Sequence, residues 1–304
     1  MKHLIVLPYY HHEEIKRYLH TALFLRHFTE TNLQFEFLLC SRNDIADDKS
    51  LLNAFSQIAS VNTFHCQNLH TGHPEGSNGM FWEIMEHVNS NYQNDGGFAL
   101  WLESDMVPIK KDWLDRLHAE WVKLPIPILM GRHLKLRLFP AKIIDKKIYT
   151  DHINGGACYA KNFAQYIPPA GSRIDCKTEN GLAIAFDVQH FPAVKKTGLF
   201  RNSKSFAFVN SHKILSSISN PNKVILHAYG HDKDEVVTTC VKSALHATNN
   251  GKFYFPETVE WFYPSALMQL YFDAIVRRAR HCLGWKHGYF GKIKMLVSKT
   301  ATHS

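Results

Sequence analysis

The sequence predicts an α/β protein built on an open sheet flanked by helices. Three observations carry that expectation. Apolar, β-rich runs alternate with stretches of helical apolar spacing four times in about the first 100 residues. The fourth run, 98–102, is continuous and apolar, as expected at the centre of a parallel sheet. Two carboxylates, Glu103 and Asp105, follow the fourth run directly, at the strand edge where open α/β sheets bind ligands.

The elements follow in order. Residues 2–7 form a short apolar strand that stops at Pro8, and 12–28 place Ile15, Leu19, Leu23 and Phe24 at helical spacing. Residues 35–40, 61–65 and 98–102 read as further strands, with a helix at 49–58 between the first two. Gly76-Ser77-Asn78-Gly79 leads into a helix at 81–88, with Ser77 or Asn78 as its expected cap. The second half is less regular. A helix is expected at 113–124, a strand at 126–130 and a charged connection at 142–147. Residues 148–160 read as a strand broken by Asn154-Gly155-Gly156, and 182–194 as a helix cut at Pro192. Strands are expected at 206–210 and 224–227, and 253–273 are rich in aromatic residues.

Composition narrows the class. The chain has 304 residues, 45% apolar and 20% charged, which excludes a disordered polymer. No uncharged apolar run reaches the ~18–20 residues of a membrane span, and the stretch at 4–7 is too short for a signal peptide. Six cysteines are scattered without a C-x-x-C pair, as in a protein of reduced thiols. A soluble cytoplasmic protein is expected. Of the surplus of eight positive charges, seven lie after residue 274, where no acid occurs, so a nucleic-acid groove across the whole chain is not expected.

The segment Leu102-Glu103-Ser104-Asp105 is the sharpest chemical signal. On an extended backbone the two acids, two residues apart, point to one side. Hard oxygen donors so placed suit Mg²⁺ or Mn²⁺. The plain alternative is a solvated strand end whose acids cap the next helix. With Pro108 and the Trp113 helix behind it, the segment resembles the D-x-D motif of the GT-A class of nucleotide-sugar glycosyltransferases. The resemblance implies a GT-A-like, Rossmann-type open mixed sheet flanked by helices. A catalytic domain would span 1–250, its nucleotide-binding half about 1–110 and its acceptor half about 111–250. Residues 251–304 would add a C-terminal helical aromatic and basic extension. In that class the acids hold a divalent cation, Mn²⁺ or Mg²⁺, against the donor diphosphate. Glu103 departs from the pattern, so Asp105 is the firmer metal ligand, and Glu103 reaches for the cation, its water or the ribose.

Three further segments extend the resemblance. The strand ends at Pro8-Tyr9-Tyr10 and Arg42-Asn43-Asp44 would receive base and ribose, Tyr9 by stacking and Asp44 by accepting an N–H. Asn154-Gly155-Gly156 would line the donor sugar and acceptor; a tight turn is the alternative. His227-x-x-Gly230-x-x-Lys233 would supply a histidine metal ligand and a diphosphate-binding lysine. Asp187 is the candidate catalytic base, with Asp175 and Glu179 as rivals, while a retaining enzyme would need no such base.

The expected activity is transfer of a sugar from a nucleotide-sugar donor to a saccharide or lipid-linked saccharide acceptor, as in polysaccharide biosynthesis. The basic tail around Arg277, Arg278 and Arg280 suits an anionic membrane surface, making the protein peripheral on an inner membrane face; a helix packed on the core is the alternative. A metal-dependent phosphoester hydrolase and a non-catalytic membrane- or nucleic-acid-binding protein are the rival classes.

Overall fold

The run Leu4-Ile5-Val6-Leu7 has at most 1% of its surface exposed, which places the first strand at a covered position inside a sheet. The structure, a computed structural model, describes residues 1–67, 70–72, 75–124, 126–134, 152–166, 185–210, 213–228 and 233–248. The connection at 142–147, Asp175, Glu179, Gly230, the aromatic stretch at 253–273, the extension at 251–304 and its basic tail lie outside the described residues.

The first part alternates as the sequence predicts: β1 (Lys2–Pro8), α1 (His12–Phe28), β2 (Gln34–Arg42), α2 (Lys49–Ser56), β3 (Ser60–Cys66), α3 (Glu75–Asn91) and β4 (Phe98–Trp101). There follow β5 (Met106–Pro108), α4 (Trp113–Trp121), β6 (Leu129–Gly131), β7 (His133–Leu134), β8 (His152–Ile153), β9 (Cys158–Ala160), α5 (Phe186–Thr197), β10 (Phe200–Asn202), β11 (Phe206–Val209), α6 (Ile214–Ser219), β12 (Ile225–Ala228) and α7 (Lys233–Thr248). Among the described residues the main sheet has seven strands in the order β3-β2-β1-β4-β9-β6-β10. β1 to β4 run parallel, β9 runs against β4 and β6, and β6 pairs parallel with β10. The sheet is therefore mixed, and β4, β6 and β10 point their carboxyl ends to the same edge. A smaller sheet, β11-β12-β5, joins parallel β11 and β12 to antiparallel β5. Among the described residues no helix is long and apolar enough to cross a membrane.

Several expectations need correction. The glycine-flanked segment before residue 81 does not cap a helix: α3 already starts at Glu75, and Asn78 is fully buried within it. Burial of Asn78, Met80, Phe81 and Trp82 on the core overrides the cap preference of the polar pair. Gly76 is needed for space, since a Cβ there would stand 2.8 Å from the His70 carbonyl oxygen. Helix α5 runs through Pro192 instead of ending there. A proline inside a helix costs about 3 kcal/mol, and burial of Phe186, Val188, Phe191 and Val194 offsets it. Residues 152–160 form two strands in different sheets, β8 paired with β7 and β9 with β4 and β6. The strand β10 and helices α6 and α7 have no counterpart in the sequence reading.

One side chain registers the two strand ends that matter most. Tyr18, on α1 and fully buried, brings its hydroxyl within 2.9 Å of the Pro8 carbonyl and 2.7 Å of the Leu102 carbonyl. Both carbonyls leave the ladder where β1 and β4 end, and the shared hydroxyl proton satisfies groups that would otherwise be buried unpaired. Tyr18→Phe is expected to lower unfolding free energy by about 1–2 kcal/mol, read as a lower urea midpoint at unchanged slope. An unchanged midpoint would mean that water replaces the hydroxyl.

Candidate functional site

The site begins where β4 stops. The Leu102 N–H still pairs with the Val6 carbonyl at 3.0 Å, and then the chain turns, with Met106 N–H donating to the Glu103 carbonyl at 2.9 Å. Glu103-Ser104-Asp105 is thus a turn rather than the extended segment its spacing suggested. Its two carboxylates converge because of partners brought from elsewhere. β5 pairs with β12 in a register that sets His227 opposite Met106, and the Ala228 N–H donates to the Asp105 carbonyl at 2.9 Å. His227 Nε2 then lies 3.2 Å from Glu103 Oε2 and 3.2 Å from Asp105 Oδ1. The Phe208 ring stacks on the imidazole, with centroids 4.8 Å apart, and fixes its plane. Lys233, the first residue of α7, places Nζ 2.5 Å from Asp105 Oδ2. Asp105 and His227 form a buried floor, whereas the Glu103 and Lys233 side chains are 30% and 48% exposed and form the rim.

Charge explains why this cluster holds together. Burial alone would raise the Asp105 pKa, but His227 and Lys233 outweigh it and hold the carboxyl well below the usual range. Burial likewise works against an imidazolium at His227; the Asp105 charge, its hydrogen bond and the Glu103 carboxylate overcome it and push the group up to about 10. Two carboxylates therefore face two cationic groups. One atom from each of Glu103, Asp105 and His227 lies within 4.8 Å of the others, an oxygen-rich set with one imidazole nitrogen. That donor set fits Mn²⁺ or Mg²⁺. A divalent cation would stand in for the charge that the His227 proton and the Lys233 ammonium now supply.

On the other side of Glu103 lies the loop between β8 and β9. A Cβ at Gly155 would stand 2.6 Å from the Phe186 ring and 3.1 Å from Glu103 Oε1, and one at Gly156 would collide with Met106. The two glycines are demanded by close packing against the protein itself. The Asn154 side-chain oxygen accepts the Gly156 N–H at 3.1 Å, closing the loop on itself. Asp187, in the first turn of α5, accepts the Gly155 N–H at 3.1 Å and the Val188 N–H at 2.9 Å, and its Oδ2 stands 3.9 Å from His152 Nε2. Burial raises its carboxyl above the ordinary range, with His152 opposing and Glu103 reinforcing the shift. The loop, Asp187 and the acid turn are thus contiguous.

The nucleotide-side residues are placed differently from expectation. Pro8 ends β1 as expected, but Tyr9, the next residue, is only 1% exposed, so no face of its ring is open to stack on a base. Tyr10 is the half-buried one, and its hydroxyl feels the Glu103 and Asp105 charges. Asp44 is exposed, but both its oxygens are bound by Arg42, at 2.9 and 2.6 Å, so the two residues act as one ion pair at the end of β2. Arg17 was not anticipated at all. Its Nε donates to Ser104 Oγ at 3.1 Å and its Nη1 to Asp234 at 2.8 Å. These partners lie 87 and 217 positions away, so no local pattern points to it.

No protein-family model matches the chain, and no curated protein matches its sequence. Solved structures do match. The apo crystal structure of mouse xyloside xylosyltransferase 1 aligns with 75% of this chain and 97% of its own, at a TM-score of 0.50 and 10% identity. The galactosyltransferase LgtC, crystallised with donor and acceptor sugar analogues, aligns with 84% and 98%, at a TM-score of 0.52 and 11% identity. The fold is of the GT-A type. At these identities the GT-A likeness lies in the path of the backbone and not in shared side chains.

Within this GT-A fold Asp105 is 2% exposed and belongs to a buried charge network, so the alternative of a solvated strand end does not hold for it. Asp105→Asn in excess EDTA should lower stability by ~2–4 kcal/mol, because His227 and Lys233 lose their counter-ion. Glu103→Gln, at the rim, should cost less than half as much. Equal losses in urea titrations would show that burial does not rank the two acids. The folded value of about 10 at His227 lies above the ordinary 6.5, so its stabilisation is complete below pH 6.5 and lost as pH rises through 10. In EDTA the stability gap between the wild-type protein and His227→Gln should therefore narrow towards pH 10. A flat gap would show that the imidazole is already neutral when the metal-free protein is folded.

Proposed function

We propose that this chain is a glycosyltransferase that moves a sugar from a nucleotide-sugar donor to a saccharide or lipid-linked saccharide acceptor, with Mn²⁺ or Mg²⁺ as cofactor. The observation that carries the reading is the cluster Glu103, Asp105, His227 and Lys233, gathered at the carboxyl edge of β4 in a GT-A fold. That the two similar structures are a xylosyltransferase and a galactosyltransferase supports it.

Asp105, His227 and Glu103 would hold the cation, which when bound supplies positive charge for the donor diphosphate. Lys233 is half exposed and can leave Asp105 for the diphosphate oxygens, where its charge stabilises the departing group. Donor binding is assigned to the half up to about residue 110, with Pro8, Tyr10 and the Arg42–Asp44 pair at the base and ribose end. The acceptor would lie over Asn154, Gly155 and Gly156. Asp187 is the candidate base, since burial makes its carboxylate more basic beside that loop. The buried free thiols Cys40, Cys66, Cys158 and Cys240 suit a reducing, cytoplasmic setting.

The test is a panel of nucleotide sugars with Mn²⁺, scored by release of free nucleoside diphosphate. One donor should stand out, EDTA should abolish the signal, and Lys233→Ala should raise the donor KM or lower kcat about tenfold. Because the Lys233 side chain is half exposed and His227 still faces Asp105, that variant should cost less stability than Asp105→Asn. Turnover that survives both EDTA and Asp105→Asn would remove the proposal. Release from simple phosphoesters, with none from nucleotide sugars, would establish the hydrolase instead.

A further inference from the structure

We propose that Arg17 is a positioning residue of this site: by holding Ser104 and Asp234 at once, it sets the start of α7 so that the Lys233 ammonium rests on Asp105, where a divalent cation would otherwise sit. The inference rests on the proposed reading only in taking the cluster for a cation site. Its support is geometric. Arg17 projects from α1, one residue before the Tyr18 that registers the β1 and β4 ends. Its Nε donates to Ser104 Oγ at 3.1 Å, and Ser104 is the buried middle residue of the acid turn. Its Nη1 donates to Asp234 Oδ1 at 2.8 Å, and Asp234 follows Lys233 on α7. The Arg17 side chain is 13% exposed, against 59% for Asp234, so the arginine is a fixed post and the helix start is tied to it.

The lysine needs such a tie. Its side chain is 48% exposed and has four rotatable carbons, so holding it in one place costs side-chain entropy. A helix start free to shift would add backbone freedom to that cost. The bridge from α1 removes the backbone part, and a second contact between the same helices, Thr238 Oγ1 to His20 Nδ1 at 3.4 Å, lies farther along α7. Arginine suits the post because its planar fork can serve two acceptors in different directions. Arg17 touches neither Glu103 nor Asp105 through a hydrogen bond given by the structure; it acts on the cluster through Lys233 and through the backbone of the turn.

A Lys233 ammonium resting on Asp105 competes with a metal ion for the same carboxylate. Mn²⁺ affinity, measured by the electron paramagnetic resonance of free Mn²⁺ on the full chain without nucleotide, therefore reads where the lysine is. Lys233→Met should bind Mn²⁺ about tenfold more tightly, because the ammonium no longer pairs with Asp105 Oδ2. Arg17→Met should move affinity the same way by about threefold, because the lysine spends less time on Asp105. Asp234→Asn cuts the same tie at its exposed end, where folding is not at risk, and should match Arg17→Met. Arg17→Lys, which keeps a charge opposite Asp234, should return towards the wild-type value.

The deciding comparison is in the Lys233→Met background, where Arg17→Met and Asp234→Asn should have no further effect. An effect that persists there, or Mn²⁺ affinity that is unchanged or weaker in both single variants, would overturn the proposal and leave Arg17 as a packing residue. Absence of Mn²⁺ binding in both the wild-type protein and Lys233→Met would overturn it together with the cation reading. A failed nucleotide-sugar panel alongside the expected Mn²⁺ series would remove sugar transfer alone.

Discussion

Asp105 is ionised at a position that is 2% exposed, and the arrangement of the site follows from that constraint. A buried carboxylate is tolerable only where positive charge and hydrogen-bond donors surround it. Two separate parts of the chain meet the requirement. β12 brings His227 and α7 brings Lys233, while the turn after β4 folds Glu103 back toward the same imidazole. The small sheet of β11, β12 and β5 exists beside the main one because β5, which begins directly after Asp105, is where β12 must pair for His227 to arrive. Packing and electrostatics thus specify the same contact.

The other boundary of the site is set by volume. Gly155 and Gly156 let the loop between β8 and β9 press against Phe186, Glu103 and Met106, and Asp187 pins the loop by its amide. A side chain at either glycine would push the loop away from the acid turn. The exposed part of the site is therefore the rim formed by Glu103 and Lys233, above the buried Asp105 and His227.

Much of the first half was legible because β1 and β4 are covered on both faces and read as apolar runs. Departures arose where burial and local preference disagree. Ser77 and Asn78 look like caps, yet α3 takes them into its first turns because Asn78 is buried there. Pro192 looks like a terminator, yet the apolar face of α5 outweighs the missing hydrogen bond. Tyr9 and Tyr10 are indistinguishable as adjacent tyrosines past a strand end, and only the tertiary packing buries the first of them.

The sequence by itself determined the alternation of strands and helices, the position of Glu103 and Asp105 behind the fourth strand, and the spacing that carries His227 and Lys233 together. Those features are written in contiguous residues, where hydrophobic period and short motifs are sufficient. Only the tertiary structure decided that Asp105 is buried, that the acid turn is tied through Arg17 to α7, and that Asp187 holds the glycine loop. The partners in these contacts come from segments as much as 217 residues apart. No local pattern encodes such contacts, because they form only after the sheet has closed and each charged group has taken the nearest opposite charge that burial leaves within reach.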